Sequence, residues 1–302
     1  MPKAEKTVVI TGSTGGIGFH SALGIAQSGA RVILIGRNSK SGETARQAII
    51  DESKNNEIEF ISGDVSSISA LRLLSDQICQ KVDCIDVLIH NAGYLGDKFR
   101  KNEDGLEMHF AVNVLAPYHL TMSLLPALQA AAAPRVLNIT GGDKPAKIDV
   151  ENLQAEKGFK GLMTYTHSKS IMESMSVALS KELDAQGISV NIIFPGRAST
   201  TMTRSLSLGA LPGLMKIMYP FFKIYFADDQ GKSAAKAATS TIWAATSAKL
   251  DGVTGRYFDT HTKEQRLHPT AYDTRVQTHI LTLIKQTLPA ENEDNTADPN
   301  VT

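Results

Sequence analysis

Thr7-Val-Val-Ile-Thr11, followed at once by Gly12-Ser-Thr-Gly-Gly16-Ile-Gly18, decides the fold. Five residues rich in β-branched side chains suit a buried strand, and from Phe19 to Ser28 the apolar residues recur with helical spacing. Glycine between the two lets the backbone take conformations, and close approaches, that a Cβ would block. Where such a turn joins a strand to a helix, its N–H groups and the positive end of the helix face one point, which suits a pyrophosphate. Gly12, Gly16 and Gly18 fit that task, with Ser13, Thr14 and Ile17 in the same turn. Taken alone the motif also fits an ordinary tight turn; its place after the first strand gives it the nucleotide reading.

The pattern repeats outward from this unit. Apolar runs near 7–11, 31–35, 57–61, 85–89, 134–140, 188–194 and 255–258 alternate with helical stretches at 16–29, 40–53, 67–81, 106–131, 161–186, 230–247 and 270–286. Continuous Val, Ile and Leu marks strands buried on both faces. The alternation therefore predicts an α/β fold, a doubly wound parallel sheet of the Rossmann type with about seven strands and helices on both faces. No repeat of solenoid length is present, and 42% hydrophobic residues suit one domain over 1–288. Residues 289–302 carry Glu291, Glu293, Asp294 and Asp298 without a basic or aromatic residue and are expected to be a disordered acidic tail.

Lys plus Arg equals Asp plus Glu, 31 against 31, so no global field draws the chain to nucleic acid, and a small molecule is the expected partner. Cys79 and Cys84, the two cysteines, read as buried reduced thiols, and no second pair completes a metal site. The N-terminus Met-Pro-Lys-Ala-Glu-Lys runs into the first strand without the apolar stretch of a signal peptide, so a cytoplasmic location is expected.

An NAD-preferring site places a carboxylate at the tip of the second strand to bind the adenosine ribose. Here the tip reads Ile35-Gly36-Arg37-Asn38. The guanidinium of Arg37 matches a 2′-phosphate, with Ser39 or Lys40 as candidates to share it, so NADP(H) is favoured over NAD(H).

Gly12-Ser-Thr-Gly-Gly-Ile-Gly18, Asp64, Asn91-Ala-Gly93, Asn113, Tyr165-x-x-x-Lys169 and Pro195-Gly196 occur in the order found in short-chain dehydrogenases/reductases, and the sequence resembles that family over residues 7–285. Asn102-Glu-Asp-Gly-Leu-Glu-Met-His-Phe-Ala-Val-Asn113 and Asn152-Leu-Gln look most like the branch of retinol dehydrogenases and protochlorophyllide reductase. The resemblance implies Tyr165 as general acid in reduction and general base in oxidation, which asks its phenol pKa to fall from about 10 towards neutrality. Lys169, four positions on and on the same helical face, is the ammonium expected to do this while contacting the nicotinamide ribose. By the same resemblance Asn113 holds a relay water and Asp64 and Val65 lie against the adenine. Asn91, Ala92 and Gly93 line the cofactor cleft, and Pro195, Gly196 and Thr200 border its nicotinamide end. Family members are often dimers or tetramers, which implies a homo-oligomer.

The sequence departs from the family where most members carry a serine that hydrogen-bonds the reacting oxygen. In Arg135-Val-Leu-Asn-Ile-Thr-Gly141-Gly142 that place falls on Gly141. Thr140 is one residue away and points to the opposite side unless a bulge shifts the register. Three readings stay open: Thr140, Thr164 or Thr166 substitutes; a water or a substrate group does; or the chemistry differs, as in double-bond reduction in a specialised biosynthetic step. The same glycine also motivates a cofactor-binding regulatory protein that has lost catalysis. His119 and His167 read as packed or surface histidines.

The apolar interval 204–226 follows Pro195-Gly196 and reads as a substrate lid and pocket wall, which implies a lipophilic substrate. Buried core helices, a subunit interface and a peripheral membrane contact are the alternatives. Gly209, Pro212, Gly213 and Pro220 interrupt it too often for a bilayer span.

Overall fold

The computed structural model describes residues 6–141, 146–211, 213–227 and 229–288; the expected acidic tail and the first five residues lie outside them. Seven strands, β1 (Thr7–Thr11), β2 (Arg31–Gly36), β3 (Ile58–Ser62), β4 (Val87–His90), β5 (Arg135–Ile139), β6 (Ser189–Ile193) and β7 (Tyr257–Phe258), run parallel in the order β3-β2-β1-β4-β5-β6-β7. Register is set by Thr7 beside Arg31 on one side of β1 and Val8 beside Val87 on the other. The order reverses between β1 and β4, and in open α/β sheets such a reversal opens a crevice at the carboxyl ends of the strands. An eighth strand, β8 (Glu264–Gln265), pairs antiparallel with β7. Its two exposed polar residues carry no apolar signal, which is why the sequence pointed to about seven strands.

Successive residues of each strand feed opposite layers. Val8, Ile10, Val32 and Leu34 pack with Ala22 and Ile25 of helix α1 (Gly16–Ala26). Val9, Ile33, Leu88 and Val136 face the second layer. That layer holds α3 (Ile68–Cys79) and the long α7 (Gly161–Asp184), while Ile49 of α2 (Ser39–Ser53) joins the cluster of α1 beside β2 and β3.

The single helix expected over 106–131 is broken into α4 (Met108–Phe110), a π turn over Ala111–Leu115, α5 (Ala116–Ser123) and α6 (Leu125–Gln129). Pro117 and Pro126 enter the first turns of α5 and α6, where a missing N–H is tolerated. Asn113 sits in the middle of the π turn. Helix α7 (Gly161–Asp184) is buried along most of its length because Ile280 and Ile284 of the C-terminal helix pack in one cluster with its Met175, Leu179 and Leu183.

The thiols correct one expectation. Cys79 is exposed and Cys84 half-exposed, both unpaired, because neighbouring Ile78 takes the core-facing position at the end of α3. Among the described residues no helix is long and apolar enough to cross a membrane, and no cluster of metal-ligating side chains occurs.

Candidate active site

The crevice at the strand reversal is a cleft of about 1810 Å³, more than the few hundred to one thousand Å³ usual for a single small ligand. Its floor is the glycine turn. Gly12 and Gly16 adopt φ of 65° and 54°, a region costly for a side chain. A Cβ on Gly18 would lie 2.3 Å from the Gly12 carbonyl oxygen, so the helix start can seat on the turn only without one. The cradle thus fits a dinucleotide pyrophosphate, and Gly12, Thr14, Gly16, Ile17 and Gly18 all line it.

Ser13 does not, which corrects its assignment to cofactor contact. It is buried, its hydroxyl donates to Ile10 O (2.9 Å) and accepts from Ile35 N (3.0 Å), and it ties β1 to β2 instead. Asn91 lines the cleft, but its carboxamide is spent on the scaffold, donating to Thr11 O at 3.0 Å and Gly12 O at 2.8 Å. Thr11 Oγ1 completes this clamp by accepting from the N–H groups of Asn91 and Ala92, both at 3.1 Å.

At the adenosine end, Arg37 is exposed and borders the cleft with Asp64, Val65 and, from the first turn of α2, Ser41 rather than Ser39 or Lys40. Gly36 lets β2 approach the turn, since a Cβ there would meet Thr14 Cγ2 at 2.4 Å. At the other end Ala92, Gly93, Pro195, Gly196 and Thr200 border it. Thr200 caps α8 (Thr201–Arg204) and leans over the turn, 3.1 Å from where a Cβ of Gly16 would stand.

Tyr165 and Lys169 stand one turn apart on the buried face of α7. Lys169 Nζ donates to Ile139 O at 2.9 Å. Asn113 Nδ2 donates to Tyr94 O (3.0 Å) and Ser168 Oγ (2.9 Å), and its Oδ1 accepts from Tyr94 N (2.8 Å). A Cβ on Gly93 would lie 3.5 Å from Asn113 Oδ1 and 3.7 Å from Lys169 Nζ. Two of the three implied catalytic residues thus meet beside Gly93, and the third, Tyr165, stands one helical turn from Lys169 with its hydroxyl against Gly141.

Burial pushes the Tyr165 phenol up to about 12, with the carboxylate of Glu173 adding to the effect. The expected fall towards neutrality is absent: burial pulls Lys169 itself down to about 8, against the opposing pull of Glu173. Glu173, missed in the sequence, is one turn beyond Lys169 and almost fully buried. Its carboxyl is pushed up to about 7 by burial and accepts the Thr140 hydroxyl at 2.6 Å. The spacing Tyr165, Lys169, Glu173 is a helical i, i+4, i+8 series, the one local signal that could have found it.

Of the three candidate hydroxyls, two are committed elsewhere. Thr140 donates to Glu173 Oε1, Thr166 donates to Leu162 O at 3.1 Å, and Thr164 accepts from Lys160 N at 3.1 Å. A Cβ on Gly141 would lie 2.3 Å from Tyr165 Oη, so the phenol itself occupies the side chain's place. His119 packs against Ser123 (3.2 Å), and His167 accepts from Asp149 N (2.9 Å), steadying the loop that brings Ala146 and Lys147 to the cleft.

A second buried pair also supports the wall. His109 Nδ1 is 2.7 Å from Glu107 Oε1, while Nε2 accepts from Gly96 N at 3.0 Å, which fixes the proton on Nδ1. The ring meets Tyr94 edge-on at 4.9 Å, so the pair holds the loop that carries Tyr94 and Leu95 into the cleft. Across from it, Leu206, Ala210 and Leu211 pack inward with Leu95 and Leu162, whereas Met218, Phe221 and Ile224 line the mouth and stay largely exposed.

The sequence profile of the short chain dehydrogenases matches residues 6–210. Retinol dehydrogenase 13 of Mus musculus is 32% identical over 281 residues, 92% of this chain and 82% of the relative. Polyprenol dehydrogenase of Homo sapiens is 27% identical over 286 residues, 92% of this chain and 84% of its own. Among solved structures, the RhlG/NADP active-site complex of Pseudomonas aeruginosa superposes with a TM-score of 0.61 at 25% identity, covering 84% of this chain and 94% of that one.

Proposed function

The chain belongs to the short chain dehydrogenase family, and from that premise we propose that it is an NADP(H)-dependent oxidoreductase interconverting a lipophilic alcohol and its carbonyl compound. The observation that carries this reading is that Lys169 and Asn113 beside Gly93, and Tyr165 beside Gly141, gather in one cleft with a glycine cradle at one end and an apolar wall at the other. Arg37 on the cleft border, with no carboxylate at the tip of β2, supports the phosphorylated cofactor. The apolar lining by Leu206, Met218, Phe221 and Ile224 supports a lipophilic substrate, as do the lipid alcohols named for the two relatives.

The bound nicotinamide supplies or accepts the hydride. Tyr165 supplies the proton: with its pKa held high, the phenol is protonated at neutral pH and is loaded as the acid for carbonyl reduction. Alcohol oxidation needs the phenolate, which burial and Glu173 both oppose. Lys169, one helical turn from Tyr165 and held by Ile139 O, is the ammonium that would offset negative charge developing on the tyrosine oxygen. Asn113 fixes the Gly93–Tyr94 backbone against which a substrate and ribose would rest.

The test is NADPH oxidation, followed by absorbance and fluorescence, with a panel of lipophilic aldehydes, ketones and enones. NADH and Tyr165→Phe serve as controls. Turnover of lipophilic carbonyls with NADPH, lost in the variant, is expected. Turnover confined to small hydrophilic substrates, or a preference for NADH, would overturn the reading. One observation favours a second reading, double-bond reduction: Gly141 has no side-chain donor and the Thr140 hydroxyl is directed to Glu173. Saturated carbonyl products from the enones would identify it. Tight NADPH binding without any turnover would instead mark a regulatory protein.

A further inference from the structure

Among the described residues, half of the large apolar side chains that are exposed fall in one short interval. Ile217 (69% exposed), Phe221 (63%), Ile224 (74%), Met218 and Tyr225 present their side chains to solvent within one interval, 217–225. Patches of this kind mark a surface built to meet something. Helix α9 (Tyr219–Tyr225) carries three of them, and the turn before it carries Ile217 and Met218.

The charge of the segment selects what it meets. From 204 to 226 the sequence holds Arg204, Lys216 and Lys223 and neither Asp nor Glu. Lys223 is held in place by donating to Arg204 O at 2.9 Å and lies 5.6 Å from the centre of the Tyr219 ring. Lys216 is exposed beside Ile217. Asp97 touches the segment at Ser207, before the apolar run begins. A symmetric contact with a second copy would set this patch against itself, since such an interface must be self-complementary. The matching patch of that copy brings Lys216 and Lys223 again and no acid to pair with either. An anionic lipid surface supplies both missing partners, acidic headgroups for the lysines and an acyl boundary for the apolar side chains.

We propose that the outer face of 216–225 docks this enzyme on an anionic phospholipid surface with the mouth of the cleft turned towards the lipid. The proposal extends the reading that the cleft takes a lipophilic substrate. Met218, Phe221 and Ile224 belong at once to the exposed face and to the lining of the mouth. A substrate dissolved in the lipid therefore reaches the cleft along a continuous apolar path, without passing through water.

The experiment is co-sedimentation of the full chain, without substrate, with vesicles of phosphatidylcholine alone or with a quarter phosphatidylserine, at low and high salt. Lys216→Glu and Ile217→Glu alter exposed residues outside the cleft lining. Binding to the anionic vesicles is expected, weakened about tenfold by salt and by each substitution, with turnover of a short water-soluble aldehyde unchanged. No binding to anionic vesicles, or equal binding by wild type and both variants, overturns the proposal. A dimer on size exclusion that Ile217→Glu dissolves, without vesicle binding, assigns the face to a second copy and overturns it too. Vesicle binding without turnover of any lipophilic substrate upholds the docking and rejects the substrate reading; the converse rejects the docking alone.

Discussion

Putting the family serine back at Gly141 should slow this enzyme. The naive expectation is a gain, because a donor to a developing oxyanion is worth about 10²–10³ in rate. The structure sets against it a Cβ lying 2.3 Å from Tyr165 Oη and 3.2 Å from Cζ. Ordinary contact requires the phenol to retreat by about 1 Å, a misplacement that costs about 10²-fold, or about 3 kcal/mol. Tyr165 sits on a buried helical face, so this retreat has to be made at the reacting group itself. Gly141→Ala carries the Cβ without the hydroxyl and isolates the steric cost. We expect kcat/KM for NADPH-dependent reduction to fall about 100-fold in Gly141→Ala, and Gly141→Ser to recover part of that without exceeding wild type. Thermal melts of both variants control for folding. The reasoning is refuted if Gly141→Ser exceeds wild type about tenfold while Gly141→Ala matches it, because the phenol would then not be held where the serine belongs.

Three further outcomes are expected. Tyr165→Phe should lower kcat by about 10²–10⁴ while NADPH fluorescence titration stays unchanged; retained turnover would remove Tyr165 from the proton step. Arg37→Ala should weaken NADPH about 10–100-fold and leave NADH untouched, and an equal loss for both cofactors would show that Arg37 does not read the 2′-phosphate. Glu173 is shifted from its ordinary 4.5 up to about 7 by burial, so the native state holds a proton that the unfolded chain releases earlier. Its ionisation should then cost stability as pH rises through 4.5 to 7, on the order of 3 kcal/mol. Melting curves of wild type should fall away from those of Glu173→Gln across that window, and a difference independent of pH would contradict the assignment.

Much of this protein was legible one residue after another. The run from Thr7 to Gly18, the alternation of apolar strands with helical stretches, and the pair Tyr165 and Lys169 are local patterns. A strand buried on both faces must be apolar throughout, a turn against a helix start must lack side chains, and residues four apart must share a helical face. From these the parallel sheet, the cleft and the principal site residues follow. Contacts between distant parts of the chain decided the rest. Ser13 reads as one more residue of the cradle until β2 closes over its hydroxyl. Cys79 reads as a core residue until Ile78 takes the place beside it.

The electrostatics of the site belong to the second group. Thr140 and Glu173 lie 33 positions apart and meet because β5 packs beneath α7. Gly96 and His109 lie 13 apart and meet through a loop fold that no periodicity announces. The sequence and its family resemblance pointed to Tyr165 as the proposed acid, to Lys169 and to the missing serine. Tertiary structure decided that the phenol fills the serine's place and that the threonine is already spent. It also decided that burial lifts the tyrosine's pKa rather than lowering it, because desolvation depends on everything that surrounds a group and not on its neighbours in the chain.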